Sequence, residues 1–245
     1  LAISELATHS ATLEDVFVRD RVADTTELIS KSTAGVAGSS SSSSPAISPS
    51  GRFVVFFSFS TNLTPGPSGS RIYLRDRQEN ATFNMPLPDG ASSCEDPRVS
   101  DLAQIVAQCN MNSGFAQAFL YDPSGEGAFY QLSTSLSAGN GNGTSGNFTG
   151  ISAYGTITVF DSAATDLVAD DTNAVSDVFV RDRSTETTIL ASRNASGSGP
   201  GNRASYSPTL STDGRWLLFR SKATDLASGS FNGIENLFLR DLQSG

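Results

Sequence analysis

A chain of 245 residues that is 38% hydrophobic, 17% charged and carries 22 glycines has enough apolar material for a core and too little charge for a disordered polymer. Its formal net charge of −9, with Lys31 and Lys222 the only lysines, leaves no basic stripe to neutralise phosphates, which argues against nucleic acid as a partner. No apolar run approaches the roughly 20 residues that cross a bilayer, and Leu1 opens neither a basic nor an apolar leader, so a soluble chain without membrane insertion is expected, either a mature form or a piece of a longer one.

Along the chain one signature recurs five times: VFVRDR at 16–21, IYLRDR at 72–77, AFLYDP at 118–123, VFVRDR at 178–183 and LFLRDL at 237–242. Its aromatic residues, Phe17, Tyr73, Phe119, Phe179 and Phe238, lie 46 to 60 residues apart. A second pattern precedes four of these and aligns without a gap: SPSGRFVVFFS from Ser48, SDLAQIVAQCN from Ser100, SAYGTITVFDS from Ser152 and STDGRWLLFRS from Ser211. Each is a small turn followed by a short apolar run, the chemistry of a β-hairpin. The runs 53–57, 105–107, 157–160 and 216–219 lack polar alternation, as strands covered on both faces do, and read as inner strands. In this alignment Gln108 stands where the other modules have Phe. The VFVRD segments end in Asp, whose carboxylate can accept N–H groups of the turn that follows. Thr-rich segments at 25–30, 82–87, 128–133 and 187–192 complete the unit.

Each module thus holds four strands, A (Pro-x-Leu/Ile-Ser), B (the apolar run), C (VFVRD) and D (Thr-rich). The pattern predicts an all-β chain: a β-propeller of five four-stranded antiparallel modules in one domain, over 1–38, 39–91, 92–137, 138–195 and 196–245. The first module supplies at most B, C and D and the last A, B and C, so about eighteen strands are expected where five full blades have twenty. The ring then closes imperfectly, or the chain is a piece of a longer one. A two-sheet sandwich is the alternative, since sandwiches also space their strands regularly.

The string S-x-D-G-R-x-x-x-F-x-S-x-A-T-D-L, followed by D-T-N and D-V-F-V-R-D-R, resembles the TolB-like propeller repeat of bacterial envelope and secreted proteins. The match runs nearly end to end and is best in 152–183 and 211–241. It implies the fold strongly and function weakly, because such repeats serve many partners.

In a four-stranded meander the A–B and C–D connections fall on one rim and the B–C and D–A connections on the other. The first set is short; the second holds the long stretches 39–44, 61–70, 138–150, 163–176, 193–205 and 223–235, which predicts one recognition rim. The Gly-, Ser- and Asn-rich tracts at 39–44 and 139–146 read equally well as flexible spacers. Asp166, Asp225, Phe231 and Asn232 are the candidate partner contacts. Asp170, Asp171, Asn173 and Asp177 offer the hard oxygen ligands that Ca²⁺ takes, although Asx-turns use the same residues. No cofactor is required.

Cys94 and Cys109 are the only cysteines. Setting Ser100 opposite Ala103 in the A–B hairpin sets Cys94 opposite Cys109, which predicts a disulfide worth roughly 3 kcal/mol, with paired buried thiols as the alternative. Oxidation fits a secreted, cell-surface or periplasmic location. The lone His9 reads as a surface residue, and no zinc site, G-x-S-x-G elbow or Ser-His-Asp triad is present in the sequence. Asp20, Asp76, Asp122, Asp182 and Asp241 recur in every module and read as structural, with neighbouring Arg19, Arg75, Arg181 and Arg240 expected to pair across blades. The function these features favour is a non-catalytic binding or structural scaffold whose long-loop rim holds a protein or glycan. The alternatives are a propeller hydrolase or lyase with axial carboxylates or a metal, and an architectural domain of a larger cell-surface or filament protein, partnered by further domains of the same chain.

Overall fold

The computed structural model describes residues 13–66, 70–112, 114–124, 126–229 and 231–244. His9, and the first module's B strand if present, lie outside them. The described residues form seventeen strands in five antiparallel sheets. The first sheet has β1 (Phe17–Asp20) and β2 (Thr25–Leu28). The second has β3 (Ser42–Ile47), β4 (Phe53–Ser58), β5 (Arg71–Asp76) and β6 (Ala81–Asn84). The third has β7 (Ala91–Val99), β8 (Ile105–Met111), β9 (Gln117–Asp122) and β10 (Ala128–Gln131), and the fourth β11 (Ser145–Ile151), β12 (Ile157–Ser162), β13 (Asp177–Asp182) and β14 (Thr187–Leu190). The fifth has β15 (Ser205–Leu210), β16 (Trp216–Ser221) and β17 (Asn236–Asp241).

The three four-stranded sheets are meanders in the order A-B-C-D; among the described residues the first sheet shows C and D and the fifth A, B and C. Successive sheets from the second onward meet through their A strands, β3 on β7, β7 on β11 and β11 on β15. That radial stacking is a β-propeller, and five separate sheets rule out a two-sheet sandwich. The A strands, not the apolar B strands, are innermost. The B strands owe their unbroken hydrophobicity to the neighbouring sheets on both faces. Four apolar clusters fill the four junctions, such as Val54, Phe56 and Tyr73 on Val16 and Ile29, or Val159 and Val180 on Leu217 and Phe219.

A stacked aromatic pair from strands B and C recurs at the centre of three sheets: Phe56–Tyr73 and Phe160–Phe179 at 5.7 Å between centroids, and Phe219–Phe238 at 5.9 Å. The third sheet breaks the pattern, and not as the gapless alignment predicts. Its A–B turn is one residue shorter: Ser100 N bonds Gln104 O, whereas Ser48 bonds Phe53, Ser152 bonds Ile157 and Ser211 bonds Trp216. The B strand therefore slides by one residue, which exchanges its faces. Ala107, opposite Phe119, takes the place of the missing Phe. Gln108 takes the place of Phe57 and reaches the fourth sheet, donating to Ser145 O (3.2 Å) and Asn147 Oδ1 (2.9 Å).

Cys94 and Cys109 form a disulfide with Cα atoms 4.0 Å apart. The pairing is the predicted one; the register near the turn is not. Ser100 faces Gln104 rather than Ala103, and a β-bulge between Glu95 and Arg98 restores Cys94 opposite Cys109. Every A strand has such a bulge, with a left-handed residue in it: Ser44, Asp96, Gly146 or Ser207. Because β3 and β11 are paired strands from Ser42 and Ser145 onward, the predicted loops 39–44 and 138–150 end earlier than their Ser, Gly and Asn content indicates.

The repeated aspartates are structural. Asp20, Asp76, Asp122, Asp182 and Asp241 each accept backbone N–H bonds of the C–D turn, as from Val22 and Ala23 at 2.8 and 2.9 Å. Their arginine neighbours correct the expectation of cross-blade pairing. Arg75 bonds Thr82 Oγ1 and Arg181 bonds Thr188 Oγ1 within their own sheets, and Arg19 pairs with Asp24; only Arg240 crosses, to Ala191 O at 2.6 Å. The arginine after the Asp makes the ionic ties between sheets: Arg77 to Glu27 at 2.9 Å and Arg183 to Asp122 at 3.9 Å.

Candidate functional site

The two rims differ in construction. On the short-turn rim the A–B turns are chained around the axis by Ser50 N to Asp101 Oδ1, Asp101 N to Ala153 O and Ala153 N to Thr212 O, each 2.8 Å. On the opposite rim each long D–A loop is clasped to a B–C loop. Ser39 N donates to Asn62 Oδ1 (2.8 Å), Asn142 N to Asp166 Oδ1 (3.0 Å) and Asn202 N to Asp225 Oδ1 (3.0 Å). Asn142 and Asn202 also exchange side-chain bonds with Thr165 and Thr224. The recurring A-T-D-L string is thus a clasp: its Thr and Asp hold the loop, and Leu167 is buried beneath.

The D–A loops are themselves tight hairpins, closed by the bridges Lys31–Ala37, Thr134–Asn140 and Arg193–Pro200. Gly141 is required for close approach, since a Cβ there would meet Leu167 Cδ2 at 3.0 Å and Ala164 Cβ at 3.1 Å. The Gly-rich tracts are fixed parts of the rim, not free spacers.

The structure separates the predicted site residues. Asp166 and Asp225 are occupied in the clasps. Phe231 packs on Phe238 at 5.5 Å between centroids, and exposed Asn232 accepts the N–H of Ile234. Asp170 pairs with Arg193. Asn173 ties its loop to the next D–A loop by donating to Gly201 O at 2.8 Å. Asp171 and Asp177 are buried. Among the described residues no group of three His, Cys, Asp or Glu side chains converges to hold a metal.

Sequence reasoning missed a set of exposed apolar side chains on the long-loop rim: Val36, Phe59, Phe115, Leu136 and Ile234. For Val36, Phe115, Leu136 and Ile234 the signal is a single apolar residue among small or polar ones, whereas Phe59 directly follows β4 and its apolar run. At the axis a cavity of about 490 Å³ is lined by Ile47, Val99, Ile151 and Leu210 of the A strands and continues onto Leu218 and Leu237 of the fifth sheet. Among the described residues that line it, none is Asp, Glu or His. Asp161, buried in strand B of the fourth sheet, accepts the N–H groups of Phe148 (3.1 Å) and Ser207 (3.4 Å), and burial raises its carboxyl above the usual range.

The far face of the fifth sheet is exposed, with none of the described residues packed over it. Leu237 and Leu239 are 69% and 65% exposed, whereas the residues at the same positions in the preceding sheets, Val178 and Val180, or Ala118 and Leu120, are at most 4% exposed beneath the next sheet.

No family model matches the sequence, and no curated protein matches it. Among solved structures, a prolyl endopeptidase is similar over 82% of this chain and 28% of its own (12% identity, TM-score 0.46). A puromycin hydrolase is similar over 82% and 27% (13%, 0.47), and an oligogalacturonate lyase from Vibrio parahaemolyticus over 93% and 59% (12%, 0.46). The chain spans less than two thirds of each of these proteins, and likeness at this level carries no activity across. The propeller assignment stands on the sheets themselves.

Proposed function

We propose that this protein is a non-catalytic binding scaffold of the extracytoplasmic space, holding a protein or glycan partner on its long-loop rim. The observation that carries this reading is the clasping of each long D–A loop to a B–C loop, which holds exposed apolar and amide groups on ordered backbone and lowers the entropy cost of binding. Long loops fixed on one side of a rigid ring are where recognition concentrates. The Cys94–Cys109 disulfide supports an oxidising compartment, and the repeat's resemblance to TolB-like propellers supports the same location. Against the hydrolase or lyase reading stand the axial lining, which offers no acid–base pair, and the repeated aspartates, which are committed to turns. The test is binding to an oligosaccharide array and to envelope proteins by calorimetry, with Phe59→Ser, Leu136→Ser and Ile234→Ser combined. Loss of binding with unchanged circular dichroism is expected; turnover of a glycan or peptide by the unaltered chain would overturn the reading.

The exposed fifth sheet favours a second reading, an architectural domain that docks a further sheet of the same repeat. Its support is continuity: the face repeats the positions through which the internal sheets already pack.

A further inference from the structure

Two carboxylates in the fourth sheet are left without an account by either reading. Asp177 opens β13 with 0% exposure, and Asp171, earlier in the same B–C loop, is 5% exposed. Asp177 Oδ1 accepts the Ser192 hydroxyl at 2.5 Å. Its Oδ2 and both oxygens of Asp171 make no hydrogen bond of normal geometry; the Asn173 backbone N–H beside Asp171 and the Asn173 side chain beside Asp177 only moderate the effect of burial. A buried carboxylate without a donor or counter-charge costs several kcal/mol, so it either takes up a proton or holds a cation. Burial pushes Asp177 up to about 6, Asp171's charge adding to the shift, and burial raises Asp171 as well.

The third sheet shows what this position needs. There the equivalent residue is Gln117, whose Oε1 accepts the Ser133 hydroxyl at 2.7 Å as Asp177 accepts that of Ser192. Its amide nitrogen donates to the carbonyls of Phe115 (3.3 Å) and Gly141 (3.1 Å). In the fourth sheet the carbonyl of Gly201, counterpart of Gly141, takes its proton from Asn173 instead. A carboxylate has no proton to offer in Gln117's place, and Asp177 Oδ2 is left bare beside a second buried acid.

We infer that Asp171 and Asp177 are the protein carboxylates of a calcium site, completed by oxygens of the 170–177 loop and by water. Two carboxylates balance a divalent charge. An oxygen-only donor set without His or Cys suits calcium, which takes six to eight oxygens in irregular geometry; magnesium demands a near-ideal octahedron. Asp170 is not a ligand, being paired with Arg193. Asn173 positions the loop, donating to Gly201 O while its Oδ1 accepts Val175 N. The ion would pin the B–C loop against strand C and the next D–A loop, whatever the rim binds.

The experiment titrates calcium into chelator-treated protein, read by thermal unfolding and by terbium luminescence. At calcium 100-fold above Kd the melting temperature is expected to rise by about 5 to 10 °C. Asp171→Asn and Asp177→Asn should each abolish the shift while melting in chelator no lower than the unaltered chain, because each removes a buried charge. Asp170→Asn should keep the shift. Absence of any calcium-dependent change in the unaltered chain overturns the site, as does a shift that survives in both buried variants. Stabilisation by acidification to about pH 5 in chelator, with none from calcium, would show a shared proton in the ion's place and equally overturn it.

Discussion

Cys94 and Cys109 sit at the cross-strand position that the three other A–B hairpins give to a pair of buried serines. Ser42 bonds Ser58 at 2.8 Å, Ser145 bonds Ser162 at 2.7 Å and Ser205 bonds Ser221 at 2.9 Å, each pair opposite in the ladder as the cysteines are. A backbone spacing that brings two hydroxyls into contact also suits two sulfurs, and the covalent bond falls in the one sheet whose aromatic pair is lost at Ala107.

The double variant Cys94→Ser/Cys109→Ser is therefore expected to fold, with a serine pair like the others, and to lose about 3 kcal/mol relative to the oxidised chain, the value for a loop of this size. Denaturant unfolding measures the loss. Equal stability of the two forms would mean that the crosslink constrains nothing the hydrogen bond does not.

Phe160→Ala removes half of a fully buried stacked pair with Phe179 and leaves a cavity between the third and fourth sheets. A loss of about 3 to 5 kcal/mol is expected. Ala107→Phe, which restores the aromatic in the third sheet, should also destabilise, by about 1 to 3 kcal/mol, because its site is already filled by Phe119 and its neighbours.

Gly143→Ala would place a Cβ 2.6 Å from the backbone of Ala163 and Ala164. Backbone cannot step aside as a side chain can, so a loss of about 3 kcal/mol is expected. Gly199→Ala, with only a carbonyl at 4.0 Å, should change stability by less than about 1 kcal/mol. Melting temperatures of the pair check both.

Arg52 grips the Asp76 carboxylate through two nitrogens and holds its pKa below the ordinary 3.8. With the folded value depressed, the pair's contribution is complete above the ordinary carboxylate range and disappears as pH falls through the folded value. Asp76→Asn should consequently unfold at lower urea than the unaltered chain at neutral pH, and the difference should shrink as pH falls below the ordinary carboxylate range and through the depressed folded value. A difference that stays constant with pH would show that the ion pair contributes nothing.

Leu239 and Val180 hold the same position in successive sheets, one exposed and one buried. Val180→Ser should cost about 2 to 3 kcal/mol and Leu239→Ser less than about 0.5 kcal/mol. Under the architectural reading, Leu237→Ser/Leu239→Ser should also abolish concentration-dependent association with sheets of the same repeat in sedimentation experiments.

The sequence by itself determined the module, its strand order and the turn-capping aspartates, because these are local patterns written four or five times in one chain and comparison between copies exposes them. The cysteine pair, which occurs once, followed from hairpin pairing, and a bulge that the sequence did not show corrected its register. Tertiary structure decided the rest. The slide of β8 follows from one residue missing in a turn, which a gapless alignment conceals and which then reverses the environments of Ala107 and Gln108. The separation of Asp170, on a surface arginine, from Asp171 and Asp177, in the interior, depends on which loop packs over them. Burial is a property of neighbours distant in the chain, and no spacing of acidic residues records it.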